Sequence, residues 1–528
     1  MPKKDKNNII ETINNNKFVE KTKFSLIGFI FGRAGLYLIL ILAQIFIGLY
    51  LINSIWVNSS LLFGGSILAS VVCLVIILNM DVNPYDKLSW SIFIAIFPFP
   101  GIILFILAYF DIGHKYEQKR IIDIEEETKD MLNVDMNLMR KLKKEDKEFY
   151  NIASYMLNKG NFPTYANSTC KYYPVGEDAF NDMLDAIRSA KEYIFLEYFI
   201  LDKGYMWGTM LEELVKKANQ GVEIRLMYDG TNAITRLKRD FPQKMEDLGI
   251  QVKVFSPIYP IISTYYNNRD HRKIFVVDGK VVFTGGINIA DEYINVYERF
   301  GHWKDTLVKI EGMAVERFTL MFLQMWHAGD EDRDFEKYLT SHVKENEGYF
   351  IGIGDNPMRK DKYSKNLYLH ILNTAKDYAY IMTPYLILDN EMVSALCFAA
   401  QRGVDVRVVL PGIPDKTIPF LLAKTHYEKL IKAGVKVYEY IPGFMHAKTW
   451  LSDDKKVVVG SVNLDFRALY LNFETTAYIY KSPIYKDVYR DFEICFDISR
   501  EITMKDVEKY PKRKKLLGAI FKPFAPLL

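Results

Sequence analysis

Residues 271–288, HRKIFVVDGKVVFTGGIN, recur once in the chain at residues 446–463, as HAKTWLSDDKKVVVGSVN. Both copies read H-x-K-x4-D-x6-G-[GS]-x-N, so five polar or glycine positions keep one register in segments that otherwise share little. The flanks repeat as well. KEYIFLEYFILD (191–202) answers to KDYAYIMTPYLILD (376–389), QGVEIRLMYD (220–229) to RGVDVRVVLP (402–411), and LGIQVKVF (248–255) to AGVKVYEY (433–440). A duplication of this extent commits the chain to two similar halves, expected over residues 161–345 and 346–510.

Each half reads as buried strand, helix, buried strand, helix and strand, followed by the motif. Short apolar β-rich runs alternating with amphipathic helices predict an α/β fold, with each sheet covered on both faces as an α-β-α sandwich. The motif itself reads as a hairpin, IFVV and KVVF joined by a turn at Asp278-Gly279. Two such halves about a pseudo-twofold axis would set His271 and His446 side by side.

The chemistry the paired motifs allow is attack on a phosphodiester. One neutral imidazole can act as nucleophile and the other can donate a proton to the leaving oxygen, because an ordinary pKa near 6.5 lets two copies hold opposite protonation states. Lys273 and Lys448 can neutralise the non-bridging oxygens, with Asn288 and Asn463 donating hydrogen bonds. Gly285 and Gly460 would let backbone approach the phosphoryl group, and Ser461, opposite Gly286 in the other copy, would offer one hydroxyl. Asp278 and Asp453 are catalytic candidates as motif members, but their place at a hairpin turn favours a structural reading. The other six histidines have no repeat partner and read as non-catalytic. Tyr198 and Tyr385 are matched across the duplication and read as buried strand aromatics. The four cysteines are scattered, with no metal-ligand spacing, so neither metal nor cofactor is expected.

The double motif resembles the phospholipase D superfamily. The continuations LDFRALYLNFE (464–474) and GHWKDT (301–306), with the apolar N-terminal region, are similar to the bacterial cardiolipin synthase branch. The resemblance implies that Glu474 and Asp305 orient the two imidazoles, that His271 is the nucleophile and that His446 is the general acid. It also implies transfer of a phosphatidyl group between two molecules of phosphatidylglycerol through a phosphohistidine, with release of glycerol. The alternative is a membrane-bound phospholipase D that hydrolyses its lipid to phosphatidic acid. Net charge of only +3 from 68 basic and 65 acidic residues speaks against a nucleic-acid partner.

The remaining segments address the bilayer. Residues 1–33 are polar and basic, and residues 34–80 carry no charged side chain, enough length for two spans at roughly 20 residues each. A third candidate is 88–110, interrupted by Pro98 and Pro100. The expected region of two to three transmembrane helices is 34–110, in a multi-pass protein of the bacterial cell membrane. The basic leader places the N-terminus inside. Three spans then carry the catalytic halves outside, while two spans keep them facing the cytoplasm, as the resemblance implies. Residues 111–160 read as a solvated helical linker, and the basic-apolar tail 511–528 either lies on an anionic bilayer or packs on its own domain.

Overall fold

The computed structural model describes residues 60–527 apart from 83, 110, 111, 260–263 and 341, with a few isolated positions before residue 60. The polar leader and most of the first apolar run therefore lie outside the described residues.

The first half contains β1 (Ser168–Tyr173), β2 (Tyr193–Tyr198), β3 (Glu223–Asp229), β4 (Gln251–Phe255), β5 (Arg269–Asp270), β6 (Lys273–Val277), β7 (Val281–Gly285), β8 (His302–Lys304) and β9 (Leu307–Gly312). The second contains β10 (Tyr349–Asp355), β11 (Tyr378–Met382), β12 (Asp405–Pro411), β13 (Lys436–Tyr440), β14 (Gly443–Met445), β15 (Thr449–Ser452), β16 (Lys456–Gly460), β17 (Asn472–Tyr480) and β18 (Ser499–Ile502). The first sheet runs β1-β9-β7-β6-β2-β3-β4 and the second β10-β17-β16-β15-β11-β12-β13, extended by β18. Position for position these are one topology used twice. β2, β3 and β4 pair in parallel, as do β11, β12 and β13, while the motif hairpins β6–β7 and β15–β16 are antiparallel.

The reason for the continuous apolar runs is visible in the layers. β6 and β7 are buried along their whole length. Helices Gly176–Ser189 and Tyr205–Asn219 cover the outer face of the first sheet, and Tyr363–Thr374 and Asn390–Gln401 that of the second. Between the sheets lies one core shared by both halves, built on the fully buried helix Val315–Trp326 and on Val488, Phe492 and Phe496 of helix Tyr485–Asp497. Phe195 stacks on Phe322 there at 4.6 Å.

Two segments depart from expectation, and a third takes one of its two expected forms. Residues 111–160 are not a solvated linker: helix Lys147–Gly160 buries Phe149, Ile152, Ala153 and Met156 in the second half, where Phe149 stacks on Tyr480 at 4.1 Å. Apolar residues at helical spacing, interleaved with charge, carry that face. The candidate span 88–110 is broken at Phe97 into helices Pro84–Ile96 and Pro98–Tyr109. Proline lacks the N–H that would continue the first helix, and the second folds back so that a Cβ on Gly101 would meet Ile94 Cα at 2.9 Å. Helix Ser60–Asn79 packs beside this pair. Among the described residues, which exclude the side chains of the first four positions of Ser60–Asn79, no helix is long and apolar enough to cross a membrane. Finally, the tail forms helix Lys512–Phe521, which packs on helix Thr417–Lys432 around Gly518, and a short 3-10 segment, Lys522–Leu527.

Candidate active site

Each motif histidine emerges from a two- or three-residue strand that pairs with the other half. β5 runs parallel to β17, placing Asp270 opposite Phe473, so the next residues, His271 and Glu474, are neighbours. β14 runs parallel to β8, placing Met445 opposite Lys304, so the next residues are His446 and Asp305. Backbone bonds seal both junctions: His271 N donates to Phe473 O at 2.9 Å and His446 N to Lys304 O at 2.7 Å. The side chains complete them. His271 Nδ1 lies 2.9 Å from Glu474 Oε2, and His446 Nδ1 lies 2.5 Å from Asp305 Oδ2. Each imidazole is thus backed by a carboxylate from the opposite half, which fixes the ring and leaves Nε2 for the cavity.

Both histidines line one cavity of about 790 Å3. Phe199 stands edge-on to His271 at 4.9 Å, while Tyr293 and Trp303 flank His446 at 5.4 and 5.3 Å. Burial in this aromatic setting, with the two motif lysines nearby, pushes His271 well below the ordinary imidazole range, and burial and Lys448 hold His446 down to about 4. Burial pushes Glu474 up to about 8. The uncharged imidazole is thereby favoured, the form that a nucleophile needs. A bound phosphodiester anion between the rings restores proton affinity to the one that must act as acid.

The motif residues divide by place. Asn288 and Asn463 line the cavity with the histidines. The Asn288 amide is engaged, accepting from Ile200 N at 2.9 Å and donating to Tyr293 Oη at 2.7 Å. Asn463 keeps a buried Oδ1 without a protein partner among the described residues, so its spare capacity is that of an acceptor for a hydroxyl and not of a donor to a phosphoryl oxygen. Lys273 and Lys448 do not line the cavity. Both are fully buried, each Nζ donating to the carbonyl of its own histidine, and burial lowers them to about 7 and about 8. They act on the site through charge at short range rather than as exposed phosphate ligands.

Three expectations are corrected, those for Gly285, Gly460 and Ser461. Gly285 and Gly460 are small because a strand passes over them: a Cβ would meet Thr306 O at 2.4 Å and Thr475 O at 2.5 Å. They make no room for phosphate. The Ser461 hydroxyl donates to Glu474 Oε2 and accepts from Thr475 N, so it holds the carboxylate and is sealed from the cavity. In the other half the shorter Asp305 occupies that space, and a Cβ on Gly286 would strike its Oδ1 at 2.0 Å. That is why one copy reads Gly-Ser and the other Gly-Gly.

Asp278 and Asp453 are far from the cavity. Five residues of β6 at about 3.3 Å each separate Asp278 from the histidine end, on the order of 16 Å. Both aspartates take positive φ, 51° and 54°, and accept backbone N–H groups from the loop ahead of the neighbouring strand, Lys191, Glu192 and Tyr193 in one half and Lys376, Asp377 and Tyr378 in the other. Asp278→Ala strands three donors and should cost about 2–3 kcal/mol of stability. Turnover per folded molecule should stay within about twofold of wild type, with a thermal melt and an active-fraction assay reading the two effects separately.

Tyr198 and Tyr385 are not equivalent. The bridges Leu201–Ile289 and Leu386–Leu464 put Tyr385 opposite Ile200, and only Tyr385 lines the cavity, its hydroxyl on Asp415 at 2.7 Å. Sequence reasoning missed Tyr293, Trp303 and Phe199. At the offset of Tyr293 from Asn288 the second motif has Ala468, so repeat matching cannot find it. It also missed Asn472, whose Nδ2 donates to Glu474 Oε1 at 3.1 Å.

The family model described as "Cardiolipin synthase, PLD-like domain" matches residues 183–326 and 368–495, one stretch in each half and each containing one histidine motif. The chain belongs to this family. Cardiolipin synthase 1 of Bacillus cereus is 30% identical over 507 residues, covering 93% of this chain and 99% of that protein. Cardiolipin synthase 1 of Bacillus anthracis is 31% identical over 461 residues, 84% and 90% of the two chains. An uncharacterized protein of Streptococcus mutans is 46% identical over 454 residues, 86% and 98% of the two. Among solved structures, phosphatidylserine synthase of Haemophilus influenzae aligns with a TM-score of 0.56 over 72% of this chain and all of that one, at 15% identity, a likeness of fold. The resemblance to the phospholipase D superfamily read from the double motif therefore holds for the family to which this cardiolipin synthase-like chain belongs.

Proposed function

We propose that this protein is a cardiolipin synthase that moves a phosphatidyl group from one phosphatidylglycerol to a second. The observation that carries the reading is the pair of imidazoles on one cavity, each braced by the other half's carboxylate. His271 Nε2 attacks phosphorus and the bond to the glycerol oxygen breaks. His446 Nε2–H protonates that oxygen and glycerol leaves. His446 then takes the proton from a glycerol hydroxyl of the second lipid, whose oxygen attacks phosphorus as the P–N bond breaks. One phosphodiester replaces another, so no energy source is required.

Glu474 and Asp305 act as positioning residues, Lys273 and Lys448 lower the cost of negative charge on the phosphoryl oxygens, and Asn463 meets the substrate's polar groups. The lining suits an anionic lipid: beside Phe300, Tyr385, Phe444 and Phe466, the cations Arg236, Arg269, Arg299, Lys416 and Arg467 outnumber the acids Glu292, Asp415 and Asp465, although Glu292 pairs with Arg299. Such walls also disfavour water, which would turn transfer into hydrolysis. The two halves remain assigned to 161–345 and 346–510 as one catalytic unit. The N-terminal region is assigned to the membrane of a bacterial cell, with the catalytic halves on the cytoplasmic side. Support for membrane contact comes from Leu68, Val71, Val72, Val75 and Ile76, all turned outward and exposed on helix Ser60–Asn79.

Purified protein in vesicles of phosphatidylglycerol should form cardiolipin and glycerol in equal amounts. Phosphatidic acid as the main product would assign the chain to the hydrolases instead.

A further inference from the structure

Beside the catalytic cavity lies a second one that the phosphodiester chemistry does not use. It measures about 520 Å3 and sits among helices Thr417–Lys432, Met504–Lys509 and Lys512–Phe521. Leu421, Ile502, Val507 and Ala519 supply an apolar floor. The rim carries both signs, but they do not cancel. Lys424 pairs with Glu439, Arg500 with Asp506, and Glu428 with Lys432 at 2.6 Å, which accounts for the acids on the lining. Lys509, Lys515 and Lys522 remain: among the described residues none of the three is in an ion pair, and the charge of Lys515 adds to that of Lys432 in lowering the pKa of Glu428. Lys522 is partly buried, and burial together with Lys429 lowers its pKa.

The wall bearing Lys515 has two faces. Gly518 faces helix Thr417–Lys432, where a Cβ would meet Thr425 Cγ2 at 2.8 Å, while Leu516, Leu517 and Ile520 stay exposed. Residues 511–528 contain no acid. Unpaired cations above an apolar crevice, beside an outward apolar face, match one ligand chemistry: a phosphate head group at the lysines with an acyl chain along the floor. We propose that this cavity is a second, non-catalytic site for an anionic phospholipid. The proposal rests on the reading of the chain as an enzyme of phospholipid bilayers. The chain leads from one cavity to the other, since Lys522 lines the second and Ala525 the catalytic one. A lipid held here therefore steadies the C-terminal segment that forms part of the catalytic wall.

Phosphatidylglycerol carrying a diazirine on one acyl chain tests this, photolysed in vesicles with the full chain bearing His446→Ala so that the probe is not consumed. Mapped adducts should fall in the catalytic cavity and, separately, on Thr417–Lys432 and the C-terminal helix. Lys509→Gln with Lys515→Gln should cut the second set by about tenfold or more and spare the first. Equal labelling of the tail by a phosphatidylcholine probe, an unchanged yield in the double variant, or displacement by inorganic phosphate alone would each overturn the proposal. Loss of the catalytic adducts as well would strike at the phospholipid reading itself.

Discussion

His271→Ala and His446→Ala should each lower phosphatidyl transfer by at least about 10³-fold while leaving the fold intact. Both side chains line the cavity and each makes its ring hydrogen bond to a carboxylate of the opposite half, so truncation removes chemistry before it removes structure. The two losses should not add: with both steps requiring both imidazoles, the double variant should be about as inactive as either single one. Appreciable turnover in one single variant, with circular dichroism and melting unchanged, would contradict a site shared by the two halves. A small loss in one and a large loss in the other would restrict the chemistry to a single half.

Glu474→Gln and Asp305→Asn should each cost about 10²–10⁴-fold in turnover, with far less effect on the lipid concentration at half-saturation. Neither carboxylate lines the cavity. Each holds Nδ1 of the histidine from the other half, selecting the tautomer that presents Nε2 and stabilising positive charge on the ring. The two sites should answer differently to loss of their supports. Glu474 is held by Ser461 and Asn472, so Ser461→Ala should reproduce part of the Glu474→Gln loss. Asp305 sits against Gly286, so Gly286→Ala should displace it and damage the His446 side by steric contact. A purely structural role for these groups would instead lower melting temperature and turnover together. Glu474→Gln at wild-type activity would remove the carboxylate from the account.

The duplication, the hairpins and the α/β class were legible because each rests on local pattern: short continuous apolar runs, glycine and aspartate turns, and repeats in register. The pairing of acid with base was not. Glu474 lies 203 residues from His271, and Asp305 lies 141 from His446. Only the two parallel strand junctions across the halves bring them together, and strands of two and three residues leave almost no trace in a sequence. Motif membership also misled. Gly285 and Gly460 recur because a neighbouring strand passes over them and not to admit a phosphate, and recurrence alone does not separate a residue that builds the site from one that reacts in it. The break at Phe97 escaped for a different reason. Proline is tolerated in spanning helices, so its presence at 98 and 100 did not decide between one long helix and two short ones.

The covalent step is the most exposed part of the account. Phosphatidylglycerol labelled at phosphorus, turned over by the wild-type enzyme and stopped in strong base to preserve N–P bonds, should leave label on the peptide that contains His271. Turnover with no label on any imidazole, or label confined to a side chain outside the two motifs, would contradict it.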